Sequence, residues 1–440
     1  MATDPFPHVP GDLGLPGVGH TLAFVRDAQR LMLELRSRHG RVFKVKILGD
    51  PGIVFATPDA ARTVFLDRDQ VFSSELGWKP TIGVLFRRGL MLRDWDDHRF
   101  HRRIMQAAFR KDALIGYMDL MNPVIERRVA EWGELGTMDF YRSVKSLALD
   151  IAAEAFIGAP LGDEADALNQ AFMDAVTAAI TPVRKDWPGT TYHRGLEGRR
   201  QLVEYFGSRV PALRAAPERQ DLFSRLCHAT DEDGNTLTDD EIVDHMIFLL
   251  LAAHDTTTST LSVMMWEMAR QPVWQERLRD EVRDLDEAAL SFEGSKRLTQ
   301  VDWVFKEANR LVPPVPFSPR VAVADTEVDG WRVPADAGIT VASMLIHRDP
   351  EWWTNPHDFD PERFSDERAE HKQHSHVYVP FAGGAHTCLG NHFAQLMAKA
   401  ILTQVLPRYR FSPGLGTRVE FQTVPIPKPR RNLPLEVSAA

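Results

Sequence analysis

The stretch Phe381-Ala382-Gly383-Gly384-Ala385-His386-Thr387-Cys388-Leu389-Gly390 constrains the chain more than any other, because it sets a lone cysteine at the mouth of a helix behind a glycine-containing loop. Gly384 permits backbone angles that a side chain forbids, and Gly390 lets the backbone come close to a flat partner. Residues 391–400 read as a helix, so Cys388 lies near a positive dipole end that favours thiolate over thiol. Such a place suits a metal cofactor held through sulfur. A Cys-x-Gly of arbitrary origin is more often a buried structural cysteine beside a turn. The full spacing, Phe-x-x-Gly-x-x-x-Cys-x-Gly, argues against that. With 24 Phe, 28 Gly and two Cys in 440 residues, chance supplies it roughly once in two thousand such sequences.

The loop resembles the haem-binding loop of the cytochrome P450 family, in which a cysteine thiolate is the axial ligand of haem iron. The resemblance implies that Cys388 is the metal ligand and that Phe381, Gly384 and Gly390 shape the cofactor site. His386, two residues before the cysteine, falls where the family has an Arg or His contacting a haem propionate.

Composition is compatible with that. Apolar residues at 44%, charged residues at 26% and a net charge of -9 are ordinary for a soluble globular protein and argue against nucleic acid as the main partner. Only Cys227 and Cys388 are present, so no disulfide framework is implied and a cytoplasmic location is expected. Residues 1–16 lack a charged start followed by an apolar core. The longest notable apolar run, residues 246–253, is too short for a membrane span and reads as a core helix.

Along the chain, Gly17-Val18-Gly19 is not a dinucleotide loop, because Leu22 takes the third glycine place and prolines precede it. Residues 42–48 and 53–55 read as a hairpin. Residues 72–92, punctuated by Gly77, Pro80, Gly83 and Gly89, read as an irregular apolar connection; Trp78, Ile82, Leu85 and Phe86 in it are candidates for the wall of an apolar pocket. A cation-rich helix then ends near Phe109. By itself it is a solvated basic face. The family resemblance implies a Trp or His followed four residues on by a propionate-binding Arg. Trp95/Arg99 and His98/Arg102 both have that spacing, and the distance to Ala108-Phe109 favours His98 and Arg102.

Residues 114–226 read as successive amphipathic helices broken at Thr181-Pro182 and Trp187-Pro188-Gly189. Residues 231–235 form a turn, and Thr238-Asp239-Asp240-Glu241 is a capping box opening a helix that Pro272 stops. Its centre, Ala252-Ala253-His254-Asp255-Thr256-Thr257, places polar groups in an apolar helix. A threonine there can simply bond back to its own helix. An acid and hydroxyl pair can also relay protons through water. The segment resembles the family's oxygen-binding helix, with Ala253 where Gly is commoner, which implies catalytic roles for Asp255 and Thr256 and places Ala252 at the pocket.

Glu307 and Arg310 sit three apart on one helical face, which alone reads as a surface ion pair. With Arg363 they resemble the family's buried Glu-Arg-Arg network, a structural brace. Residues 313–320 are extended; the resemblance makes Arg320 a further propionate ligand and sets Val315 and Phe317 at the pocket. His371, His374 and His376 read as a solvated loop cluster rather than a metal site. Residues 424–427 and 433–437 resemble the family's final hairpin, with Ile426 near substrate.

The resemblance spans roughly residues 14–437. It implies a mainly α fold with a smaller β region, in a single haem domain over residues 1–440 with an N-terminal extension at 1–13. It implies haem b as cofactor and O2 as co-substrate, in a monooxygenase inserting one oxygen atom into a hydrophobic substrate such as a fatty acid, terpenoid or steroid-like molecule. Electrons are expected from a separate ferredoxin or flavodoxin with its NAD(P)H reductase, Arg99, Arg103, Arg110 and Lys111 offering a basic docking face. A monomer without a transmembrane anchor is expected. A peroxide-dependent hydroxylase and a non-catalytic haem sensor are the alternatives.

Overall fold

The structure is a computed structural model that describes residues 4–47, 49–134, 136–158, 163–179, 181, 184–414 and 416–440. Pro182 and Leu48, which entered the sequence reading as a helix break and a strand end, lie outside the described residues. The helices, in chain order, are α1 (Thr21–His39), α2 (Pro58–Leu66), α3 (Ser74–Phe86), α4 (Trp95–Ala107), α5 (Lys111–Ala130), α6 (Phe140–Ala152), α7 (Asp163–Ala179), α8 (Thr191–Arg214), α9 (Leu222–His228), α10 (Asp239–Arg270), α11 (Pro272–Arg283), α12 (Phe292–Ser295), α13 (Thr299–Leu311), α14 (Ser343–Ile346) and α15 (Asn391–Val405). The strands are β1 (Val42–Lys46), β2 (Pro51–Phe55), β3 (Phe72–Ser73), β4 (Thr137–Asp139), β5 (Ser318–Ala322), β6 (Thr326–Val328), β7 (Trp331–Val333), β8 (Gly338–Val341), β9 (Tyr409–Pro413), β10 (Phe421–Gln422), β11 (Lys428–Pro429) and β12 (Pro434–Ala439). Helix dominates and the strands are short, as expected.

The chain forms two compact units. The first takes residues 1–78, 306–388 and 420–430. Its sheet runs β1-β2-β8-β5-β3. The β1/β2 hairpin is antiparallel, with Val42 opposite Phe55, and β8 joins β2 in parallel, Ile53 opposite Ile339. Alternate residues of these strands, including Ile53, Phe55, Ile339 and Val341, share one core with Val64 and Phe65 of α2. Helix α2 begins where Thr57 accepts the Ala60 N–H and Pro58 occupies the first turn, and ends on Asp67 in the left-handed region. Residues before α1 pack here too: Phe6 and Val9 are buried, and the Lys44 ammonium holds the Asp4 carboxylate at 2.5 Å.

The second unit takes residues 79–305, 389–419 and 431–440. Helix α10 is its axis, 32 residues long and opened by the expected capping box, in which Thr238 and Glu241 bond each other's backbone. It packs against α6, α8, α9, α11 and α15. A small sheet, β4-β12-β9, closes one edge.

Two expectations are corrected. The apolar connection at 72–92 contains helix α3, with Pro80 inside it, followed by a 3-10 turn at Leu90–Leu92. Punctuation by Gly and Pro suggested a loop; the helix is held instead by burial, Leu85 and Phe86 being 1% exposed. Gly77 is needed there because a Cβ would lie 2.6 Å from the Pro319 carbonyl oxygen. At the C-terminus, 424–427 and 433–437 do not form one hairpin. The former is the tip between β10 and β11, while β12 pairs with β9 and β4. Leu435 is fully buried in that pairing, so its side chain sets the strand's place.

Candidate active site

In the first unit the cysteine loop is fixed by its own backbone. The Cys388 N–H donates to the Phe381 carbonyl at 3.0 Å, and the Thr387 hydroxyl donates to the Gly384 carbonyl at 2.8 Å. Gly384 has φ +60, and a Cβ there would collide with the Phe65 carbonyl at the end of α2. At Gly390, which belongs to the second unit, a Cβ would meet nothing within 4 Å. Cys388 is exposed, while Phe381 and His386 are half-buried. The loop therefore presents a thiol outward from a rigid turn.

The extended segment before β5 alternates. Val315 and Phe317 are half-buried, whereas Pro316, Ser318 and Arg320 are buried. Phe317 packs on Phe24 of α1, ring centroids 5.6 Å apart. Arg320 donates to the Pro319 carbonyl at 2.8 Å. Ile426 is half-buried at the β10/β11 tip. Trp78 and Ile82 are half-buried on α3, unlike Leu85 and Phe86, which are packed into protein.

Glu307, Arg310 and Arg363 are each fully buried. Arg310 grips the Glu307 carboxylate with two bonds of 2.7 and 2.8 Å, and Arg363 reaches it at 3.2 Å. Their remaining N–H groups donate to the carbonyls of His347, Thr354, Asn355, Pro356 and Asp358. The network is thus a brace for an irregular segment, since it satisfies carbonyls that no strand pairs. Glu370, 3.1 Å from Arg363, is a fourth member that the three-residue pattern did not reveal. Among the described residues no group of three His, Cys, Asp or Glu is arranged for a metal ion, and His374 instead faces Asp59 at 3.5 Å.

In the second unit the buried surface of α10 is interrupted at Ala252, Ala253, Asp255 and Thr256, which are half-buried, and resumes at Thr257. The Thr256 hydroxyl donates to the Ala252 carbonyl at 2.7 Å, the back-bond that any helical threonine can make. Asp255 Oδ1 lies 3.0 Å from the Lys145 ammonium of α6 and 3.2 Å from His254 Nδ1. Burial opposes the Asp255 charge, yet His254 and Lys145 together hold the carboxyl well below its usual range.

On α4, His98 is 1% exposed and Arg102 half-buried, whereas Arg99 is exposed and paired with Asp96 at 2.6 Å. Of the other expected docking cations, Lys111 is paired with Glu293 at 3.3 Å, while Arg103 and Arg110 are exposed. Sequence reasoning missed a buried pair here: His245 Nε2 of α10 lies 3.0 Å from His101 Nδ1 of α4. The signal for it was His245 itself, a histidine on the apolar stripe leading to Ala252 seven residues on.

A family model described as Cytochrome P450 matches residues 9–433. A protein named putative cytochrome P450 136, from Mycobacterium tuberculosis, is 40% identical over 431 residues, covering 95% of this chain and 86% of its own. The abscisic acid 8'-hydroxylase 2 of Oryza sativa subsp. indica is 27% identical over 95% of this chain and 84% of its own. Among solved structures, retinoic acid bound cyanobacterial CYP120A1 matches with a TM-score of 0.88 and 26% identity over 98% of this chain and 99% of that one.

Proposed function

The chain belongs to the cytochrome P450 family and is a haem-iron monooxygenase that takes O2, a small-molecule substrate and electrons from a redox partner; from that premise we propose which residues do the work and on what. Cys388 would hold the iron of haem b through its sulfur. The observation that carries this is the exposed thiol held at the end of a backbone-locked turn, with open space at Gly390 where a flat macrocycle needs close approach. A soft sulfur donor suits haem iron, and among the described residues no group of three His, Cys, Asp or Glu is arranged for a closed metal site.

Haem held by Cys388 would supply the oxygen activation, with one atom of O2 ending in the product and the other in water. The chain's own residues bind and deliver. His98 and Arg102 of α4, with Arg320 and His386, offer donors to the propionates; Phe381, Gly384 and Gly390 shape the loop around the ring. Between the two α4 pairs, His98/Arg102 is the better reading because Arg99 is spent on Asp96 at the surface. Thr256 commits its proton to Ala252, so its oxygen lone pairs remain to accept from water. Asp255 is an anion that can hold a proton transiently at a carboxylate oxygen.

The pocket is read as Trp78, Ile82, Ala252, Val315, Phe317 and Ile426, all half-buried, together with Leu85 and Phe86, which are buried. The substrate is a fatty acid, terpenoid or steroid-like molecule. The names of the relatives, one acting on abscisic acid and one holding retinoic acid, favour an apolar organic acid within that range. No helix among the described residues is long and apolar enough to cross a membrane. A cytoplasmic monomer, one haem domain over residues 1–440, using a ferredoxin or flavodoxin and its NAD(P)H reductase, completes the reading. The docking face narrows to Arg103 and Arg110.

Titrating apolar acids, alcohols and hydrocarbons against the haem spectrum, then running turnover with a surrogate ferredoxin system, tests it. A ligand that shifts the spectrum should yield a hydroxylated product under O2 and reductant. Binding without product, or product only with added peroxide, would reject the oxygen-dependent reading.

A further inference from the structure

His347, the residue after α14, is fully buried in the first unit and bonds both to the charged brace and to the segment that enters the cysteine loop. Its carbonyl accepts from Arg310 Nη1 at 2.7 Å, the same guanidinium that grips Glu307. Its ring Nε2 lies 2.9 Å from the Val379 nitrogen. A backbone N–H can only donate, so Nε2 accepts, and the proton of the neutral ring is on Nδ1. Val379 is buried, lies outside the strands, and precedes Pro380, which has no N–H to offer. From Val379 the bonds run on to the thiol: its carbonyl accepts from the Ala382 N–H at 3.2 Å, and the Phe381 carbonyl accepts from Cys388 at 3.0 Å. Ala382 has φ +56, a left-handed backbone that is costly for a residue with a side chain and persists only where its surroundings hold it.

Packing alone does not explain an imidazole here. The ring stacks on Tyr378, centroids 5.5 Å apart, and meets Trp353 edge-on at 6.5 Å, contacts that an apolar ring makes as well. Its Nδ1 has no hydrogen-bond partner among the described residues, an orphaned donor that a phenylalanine would not bury. What the imidazole supplies, and an apolar ring cannot, is the acceptor for Val379. Burial, with Arg310 and Arg348 nearby, holds His347 well below the ordinary histidine value, which keeps Nε2 free of a proton.

We propose that His347 is a positioning residue for the sulfur ligand: with its carbonyl gripped by Arg310 and its Nε2 taking the Val379 N–H, it hangs the Cys388 turn from the Glu307 brace. This rests on the reading of Cys388 as the haem ligand. Remove the acceptor, and the Val379 N–H is buried without a partner while the strained turn at Ala382 loses its nearest anchor. The thiolate is then held less firmly.

Three substitutions in the holoenzyme separate the acceptor from the packing. His347→Phe keeps a ring and removes the acceptor; His347→Gln sets a side-chain oxygen near the place of Nε2; His347→Asn is polar but too short to reach. Hydrogen exchange of the peptide covering residues 377–388 should quicken about fivefold to tenfold in the Phe and Asn variants and stay parental in Gln. In mild urea, the ferrous carbon monoxide complex should lose its thiolate band about fivefold to tenfold faster in Phe and Asn, again with Gln parental. Should the Phe variant not fold, Asn against Gln carries both readings. Parental behaviour of Phe and Asn, or a Gln variant as impaired as Asn, overturns the role of the acceptor. Faster exchange with an unchanged loss of the thiolate band leaves His347 a core residue and overturns the positioning role. A parent protein without the thiolate band sinks the reading of Cys388 itself, whatever the variants do.

Discussion

His245 Nε2 and His101 Nδ1 sit 3.0 Å apart, a buried imidazole pair that ties α10 to α4. The other nitrogen of His101 faces Asp97 and Glu241, each at 3.4 Å. Facing carboxylates, that nitrogen carries the proton, so Nδ1 accepts from His245. Burial, reinforced by Arg93, pushes His101 down to about 4, and burial with His101 pushes His245 well below its usual value.

An acid sensitivity follows. Between the unfolded histidine value, about 6.5, and the folded value of about 4 for His101, the unfolded chain binds protons that the folded chain refuses. Stability is therefore complete above that window and is lost as pH falls through it. Urea unfolding at pH 7 and pH 4.5 should differ by about 2 kcal/mol from this source after allowance for solvent screening. The double substitution His101→Gln with His245→Gln should flatten the slope; an unchanged slope would contradict the assignment.

Arg363→Ala should remove about 3–5 kcal/mol, because it leaves Glu307 buried with one cation and strips donors from Asn355 and Asp358. The expected observation is little soluble haem protein, and Arg363→Lys should not rescue it, since one ammonium cannot serve the five acceptors that the guanidinium reaches. Normal haem retention in the alanine variant would mean that the brace is dispensable.

The two loop glycines should separate. Gly384→Ala meets both a left-handed backbone and the Phe65 carbonyl and should cost about 3 kcal/mol or more in unfolding of the apoprotein. Gly390→Ala meets nothing in the protein and should leave apoprotein stability within about 0.5 kcal/mol, while weakening haem retention if the macrocycle lies there. Haem titration of both apoproteins measures the difference, and equal effects would reject the close approach at Gly390.

Thr256→Ala loses only a back-bond to Ala252, so folding should change little. Product per reductant should fall about tenfold or more, with peroxide rising in compensation. Unchanged coupling would leave Thr256 as a helix residue and nothing else.

Much of this was legible in the sequence where local chemistry decides. The capping box at Thr238 fixed the start of α10, and the segments 42–48 and 53–55 announced the hairpin of β1 and β2. Helix α3 was not legible, because the burial of Leu85 and Phe86 outweighs the local signal of Gly77 and Pro80. The pairing of β12 with β9 and β4 is a long-range choice that six residues of strand cannot announce. At the site, Asp255 and Thr256 stood out as polar residues interrupting an apolar helix, and the family resemblance pointed to their roles. Lys145 and His101 were not, since each acts only through a partner more than a hundred residues away.

The central claim is that Cys388 binds haem iron as a thiolate. The ferrous carbon monoxide spectrum of the purified protein tests it most directly: the account predicts the red-shifted band of a thiolate-ligated haem, lost in Cys388→Ala. A spectrum without that band in the parent protein, or its persistence in the alanine variant, would contradict the account.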